Sequence, residues 1–80
     1  MEDADLVKRI GELVDEEHVL ERSHVGQGAS DEDIAKIRAI EIALDQCWDL
    51  LRQRQARRDA GQNPDDAKVR DASTVEGYQQ

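Results

Sequence analysis

The chain has 80 residues and a formal net charge of −8. A sequence this short makes one small domain at most and buries a modest share of its surface. One Cys and two His exclude an internal disulfide and an ordinary structural zinc site, and the negative charge disfavours nucleic acid and anionic membranes as partners.

Trp48 and Tyr78 are the aromatic residues and there is no Phe, so the core must be aliphatic. With no staple available, self-association is the remaining route to stability.

Residues 3–24 carry the first helical pattern. Leu6, Ile10, Leu13, Glu17 and Leu20 recur at helical spacing, with Val7 and Val14 alongside. Glu2, Asp3 and Asp5 lie in or before the first turn, where acids oppose the helix dipole. Gly11 weakens this helix by about 1 kcal/mol relative to Ala, and a close helix–helix approach is the expected compensation.

Val25–Ser30 is the break, with two glycines that let the backbone turn. Ser30, followed by Asp31, Glu32 and Asp33, is a strong helix start: the hydroxyl caps a free N–H and the acids face the positive helix end. The second helix is predicted over residues 31–59. Ile37, Leu44 and Leu51 are spaced by seven, with Ile40 and Cys47 three after the first two. Ile34, Glu41 and Trp48 lie one position further round and widen the stripe. Gly61 is the expected C-cap glycine and Pro64 prevents continuation.

A short loop between long helices implies an antiparallel hairpin, with residues whose numbers add to roughly 55 side by side. Val7 then lies near Trp48, and the acidic start of the first helix lies near the basic end of the second. Residues 1–21 hold eight acids and two bases, whereas residues 34–58 hold three acids and six bases. The second helix, at about 1.5 Å per residue, overshoots the first.

The predicted fold is all-α. A two-helix hairpin over residues 1–62 is followed by an irregular tail over residues 63–80, in which Asn63 caps one short turn and Val69, Val75 and Tyr78 pack back. Two hairpins are expected to pair as a homodimeric four-helix bundle. The core or oligomer stripe comprises Leu6, Ile10, Leu13 and Leu20 in the first helix. In the second it comprises Ile34, Ile37, Ile40, Leu44, Cys47, Trp48 and Leu51.

Four groups of residues invite a chemical role. Glu21 and His24 have the Glu-x-x-His spacing of di-iron bundles, and Asp15 and His18 share it, but the inward carboxylates such a site needs are not at the same level. His18, Glu21 and His24 therefore form the alternative, a metal-binding bundle. Glu17, an acid on the apolar stripe, is expected to pair with Arg38 and set register, because catalysis would require a pocket and a partner. Arg52, Arg54, Arg57 and Arg58 form a candidate interaction surface. Their simpler role is to offset the helix dipole, meet Glu2, Asp3 and Asp5, and cover apolar surface with their stems. Cys47 is on the stripe, where packing is a better account than reactivity.

Several stretches are familiar: LVDEEHVL in the first helix, LDQCWDLLRQRQARRDAG in the second, NPDDAKVR and VEGYQQ in the tail. Together, over nearly the whole chain, they resemble the small actinobacterial proteins grouped as domain of unknown function 2630. The resemblance implies a bacterial, cytoplasmic protein of one short domain, and that family carries no assigned activity to transfer to any residue here. The expected function is that of a non-enzymatic interaction or regulatory module without cofactor. Its expected partners are a second copy of itself and another protein. The apolar runs are too short for a signal peptide or a membrane span, and the lone Cys suits the cytoplasm.

Overall fold

The computed structural model describes residues 2–22, 28 and 30–76. Two long helices, α1 (Asp3–Arg22) and α2 (Asp31–Asp59), form an all-α helical hairpin. A single 3-10 turn (Pro64–Asp66) and a short helix, α3 (Ala72–Glu76), follow, and both pack on α2. The remainder of the residue 3–24 prediction, and Tyr78 in the tail, lie outside the described residues.

The molecule measures 51 × 24 × 16 Å. Its longest extent is set by the 29 residues of α2, and its thinnest barely exceeds one helix diameter of about 10–12 Å. The hairpin itself is one layer of two helices, and on the side away from the tail neither long helix has a neighbour among the described residues.

The seam between the long helices follows the predicted spacing. On α1 it runs through Leu6, Ile10 and Leu13, all buried, to Glu17 and Leu20, half-buried. On α2 the corresponding row is Ile37, Ile40, Leu44, Cys47, Leu51 and Arg54. Ile40 and Arg54 are buried and the others half-buried. Arg54 ends the row against Asp3 of α1.

Ile34 and Trp48, counted in the stripe on sequence grounds, are 51% and 46% exposed. They lie one position off the seam, and no second layer covers them. Leu50, outside the predicted stripe, is buried because the tail packs on that side of α2. Gly11 is exposed, and a Cβ built on it meets nothing within 4 Å. The close approach expected at that glycine does not occur within the described residues.

The helix ends are built as the sequence suggests. Ser30 Oγ accepts from Asp33 N at 3.1 Å, capping the helix, and donates to the Asp33 carboxylate at 2.8 Å. At the far end Gly61 has φ 73°, Gln62 N donates to Arg57 O, and Gly61 N donates to Arg58 O. That is a Schellman ending, which needs a residue at ease with positive φ. Asn63 Oδ1 then accepts from Asp65 N to cap the 3-10 turn.

The tail is more regular than its composition suggests. Asp71 begins α3: one of its carboxylate oxygens accepts from Thr74 N, Ser73 Oγ and Thr74 Oγ1. These three bonds hold the Asp71 carboxyl below its ordinary pKa, the Thr74 amide contributing most. Val75 is 1% exposed and anchors α3, whereas Val69 is 63% exposed and does not pack back as expected.

Candidate functional site

Charged groups gather at two places on α2. The first is its basic end. Arg54 lies almost wholly within the protein and donates from Nε to Asp3 Oδ1 at 2.6 Å. From Nη1 it donates to Asp65 Oδ1 at 2.9 Å and to the Pro64 carbonyl. One planar guanidinium thereby ties the start of α1, the body of α2 and the 3-10 turn together, a task suited to its fixed fork of donors. Arg58 adds a bond to the other oxygen of Asp3 at 2.6 Å. The bond from Arg54, with that from Arg58, lowers the Asp3 pKa, while Asp3 and then Asp65 make Arg54 hold its proton more tightly.

This geometry divides the predicted basic surface. Arg54 is withdrawn from it, because its donors are spent inside the fold. Arg57 reaches Gln62 Oε1 at 3.4 Å, and Arg52 and Arg58 remain exposed. Arg52, Arg54, Arg57 and Arg58 therefore do not form one open patch.

The second place is Asp49, with no exposed surface at all. Its carboxylate receives both Nε and Nη2 of Arg70, the former at 2.9 Å, in a bidentate pair. Gln53 Nε2 donates to the same carboxylate at 2.9 Å and to the Lys68 carbonyl at 2.7 Å. Gln46 Nε2 donates to the Arg70 carbonyl at 3.3 Å. The Arg70 bonds outweigh burial and hold the Asp49 pKa down, so the group stays ionised in its closed surroundings. Three side chains at helical spacing on α2 thus grip the backbone and side chains of residues 68–70. This cluster escapes a reading by periodicity, because its partners are about twenty residues apart. The signals in the sequence are an acid between Trp48 and Leu50, and an Asp two residues before Ser73-Thr74.

The other candidates are not assembled. His18 and Glu21 are exposed on α1, and His24 lies outside the described residues. Among the described residues no group of three or more His, Cys, Asp or Glu is placed to hold a metal ion. Glu17 is half-buried and Arg38 exposed, with no ion pair between them among the described residues. The expected register pair is absent because Arg38 lies one position off the seam. The Cys47 thiol is half-buried, and its burial raises its pKa despite nearby Arg9, which disfavours the reactive thiolate.

What the hairpin does present is an uncovered apolar face. Val7, Ile34 and Trp48 are 57%, 51% and 46% exposed. They share the side of the hairpin away from the tail with half-buried Val14, and exposed Arg38 and Glu41 lie between Ile34 and Trp48 on it.

A family model described as "Protein of unknown function (DUF2630)" matches residues 2–80. The chain belongs to this family. It is 49% identical over 78 residues to the uncharacterized protein Rv0898c of Mycobacterium tuberculosis (strain ATCC 25618 / H37Rv), a match covering 95% of this chain and 88% of that one. The uncharacterized protein Mb0922c of Mycobacterium bovis matches with the same identity and coverage. No solved structure matches the chain. Among the described residues no helix is long and apolar enough to cross a membrane.

Proposed function

We propose that this DUF2630 protein is a non-enzymatic, self-associating interaction module. The observation that carries this reading is the apolar face of Val7, Ile34 and Trp48, left open on a hairpin one helix thick. An exposed residue of this kind is ordinary singly, but these three lie along one side. A second hairpin laid on that side would complete a four-helix bundle, the usual way a pair of helices buries both flanks of its seam.

The described charged groups with displaced pKa values support the non-enzymatic part. Asp3, Arg54 and Asp49 each join one segment of the chain to another, and Asp71 caps the helix it begins. The module works without cofactor in the bacterial cytoplasm. With a net charge of −8, its partners are proteins, itself first, and neither nucleic acid nor a membrane surface.

The test is the concentration dependence of thermal melting, with light scattering on the same samples. Self-association stabilises the folded state by mass action, so the melting temperature rises with concentration. A well-folded monomer with a melting temperature independent of concentration overturns the proposal.

A further inference from the structure

We infer that the second copy docks on the Val7–Trp48 face about a two-fold axis parallel to the helices, so that α1 of each copy lies along α2 of the other. This deepens the self-association reading and rests on it.

Two arrangements bring the open faces of identical hairpins together, because the two-fold axis must lie in the plane between them. With the axis across the helices, α1 faces α1 and α2 faces α2. With the axis along them, α1 faces α2 in both halves. Charge decides between these. With seven acids and three bases, α1 carries a net charge of −4, and with seven acids and six bases α2 carries a net charge of −1. The crosswise axis places the acidic helix against its own copy. The lengthwise axis places it against the nearly neutral one, where the repulsion is weaker. Packed helices stand about 8–10 Å apart, within one screening length at moderate salt, so this difference is felt.

A lengthwise axis also leaves every residue at its own height, so the register is not adjustable. The Asp3–Arg54 pair shows that residues whose numbers add to 57 share a height across the hairpin. Trp48 of one copy then stands between Val7 and Gly11 of the other. This gives Gly11 the neighbour it lacks: a Cβ there meets nothing within 4 Å in the single chain. The space above Gly11 is where the indole of the second copy lies. Glu21 comes within about two residues, roughly 3 Å of rise, of the second copy's Arg38. His18 comes equally near the second copy's Glu41. Neither Glu21 nor Arg38 has an ion pair among the described residues, and both are exposed.

Two charge reversals test the arrangement, Glu21→Arg and Arg38→Glu, each made in a separate full-length chain. Both positions are exposed, and a far-UV spectrum confirms that each variant folds. Each variant alone sets like charges together twice in its own dimer, and its association should weaken about tenfold or more. Mixed, the two chains restore an opposite pair at both contacts, so heterodimers should form about as tightly as the wild-type dimer. Trp48, the single tryptophan, reports association through a shift of its emission to shorter wavelength. Wild-type protein that associates while the mixture binds no more tightly than its components, or while the single variants are unimpaired, overturns the arrangement and leaves self-association standing. Wild-type protein that stays monomeric with concentration-independent emission overturns both.

Discussion

α2 meets its two neighbours through opposite chemistry. Toward α1 it presents Ile37, Ile40, Leu44, Cys47 and Leu51, and the contact is aliphatic until Arg54 closes it. Toward the tail it presents Gln46, Asp49 and Gln53, which bind residues 68–70 by hydrogen bonds, with Leu50 and Val75 as the buried apolar part. The apolar seam is non-directional and tolerates small shifts of register. The polar seam holds one register, because a bidentate pair and two amide-to-carbonyl bonds form only when donors and acceptors meet. Stability should therefore reside mainly in the first seam, and the position of the tail in the second.

The largest effect should come from breaking the apolar seam at its centre. Leu13 is 2% exposed, and Leu13→Ala should cost about 2–5 kcal/mol. That is a large share of the total for a domain of this size. Urea denaturation followed by helical signal should show α1 and α2 melting together at lower denaturant. A loss below roughly 1 kcal/mol would place Leu13 at the surface and contradict the seam.

Breaking the polar seam should act more locally. Arg70→Ala takes the bidentate partner from the buried Asp49 carboxylate and leaves it the single bond from Gln53, a defect worth about 3 kcal/mol when burial persists. The tail can escape that cost by detaching and letting water reach Asp49. Amide exchange should therefore accelerate across residues 64–76 while the centre of α1 keeps its protection. Equal acceleration in both regions would mean that the two seams are one cooperative unit.

Acid should reproduce this release without a mutation. The Asp49 carboxyl has a lowered pKa in the folded state, so its contribution is complete above the unfolded value of about 3.9 and lost as the pH falls below it. Asp3 and Asp71 are shifted in the same direction. Protection of residues 64–76 should drop as the pH is taken from neutral to well below about 4, whereas Arg70→Ala should already be open at neutral pH and lose this transition. A tail equally protected at both ends of that range would deny the Asp49–Arg70 pair its role.

The smallest effect should be at the exposed rim of the basic end. Arg58→Ala removes one of two cations from Asp3 and leaves the buried Arg54 in place, for a loss of about 0–1 kcal/mol that shrinks with added salt. A double-mutant cycle with Asp3→Asn measures the coupling, and a value well above 1 kcal/mol would show that Arg58 shares the load of Arg54.

The hairpin and its caps were legible in the sequence because each depends on residues close together in the chain. The alternation of three and four through Leu6, Ile10 and Leu13 defines a seam whatever it packs against. Ser30, Gly61 and Asn63 act on backbone groups within a few residues of themselves. The short break before Ser30 was enough to imply the antiparallel pairing that brings the acidic start of α1 to the basic end of α2. Which charges pair was not legible. Arg38, expected against Glu17, lies one position off the seam, while Arg54, grouped with surface arginines, is the buried one. A rotation of about 100° separates successive helical positions, so one residue decides between seam and solvent.

By itself, then, the sequence determined that this chain is a helical hairpin with capped ends and an aliphatic seam, since periodicity and capping are local properties. Only the tertiary structure decided that Asp49 is buried, that Arg70 from the tail binds it in a bidentate pair, and that the tail covers one flank of α2 while Val7, Ile34 and Trp48 stay open on the other. Those outcomes depend on how a segment some twenty residues away returns across the helix. Its hydrogen bonds leave no period in the sequence, because each joins one particular donor to one particular acceptor.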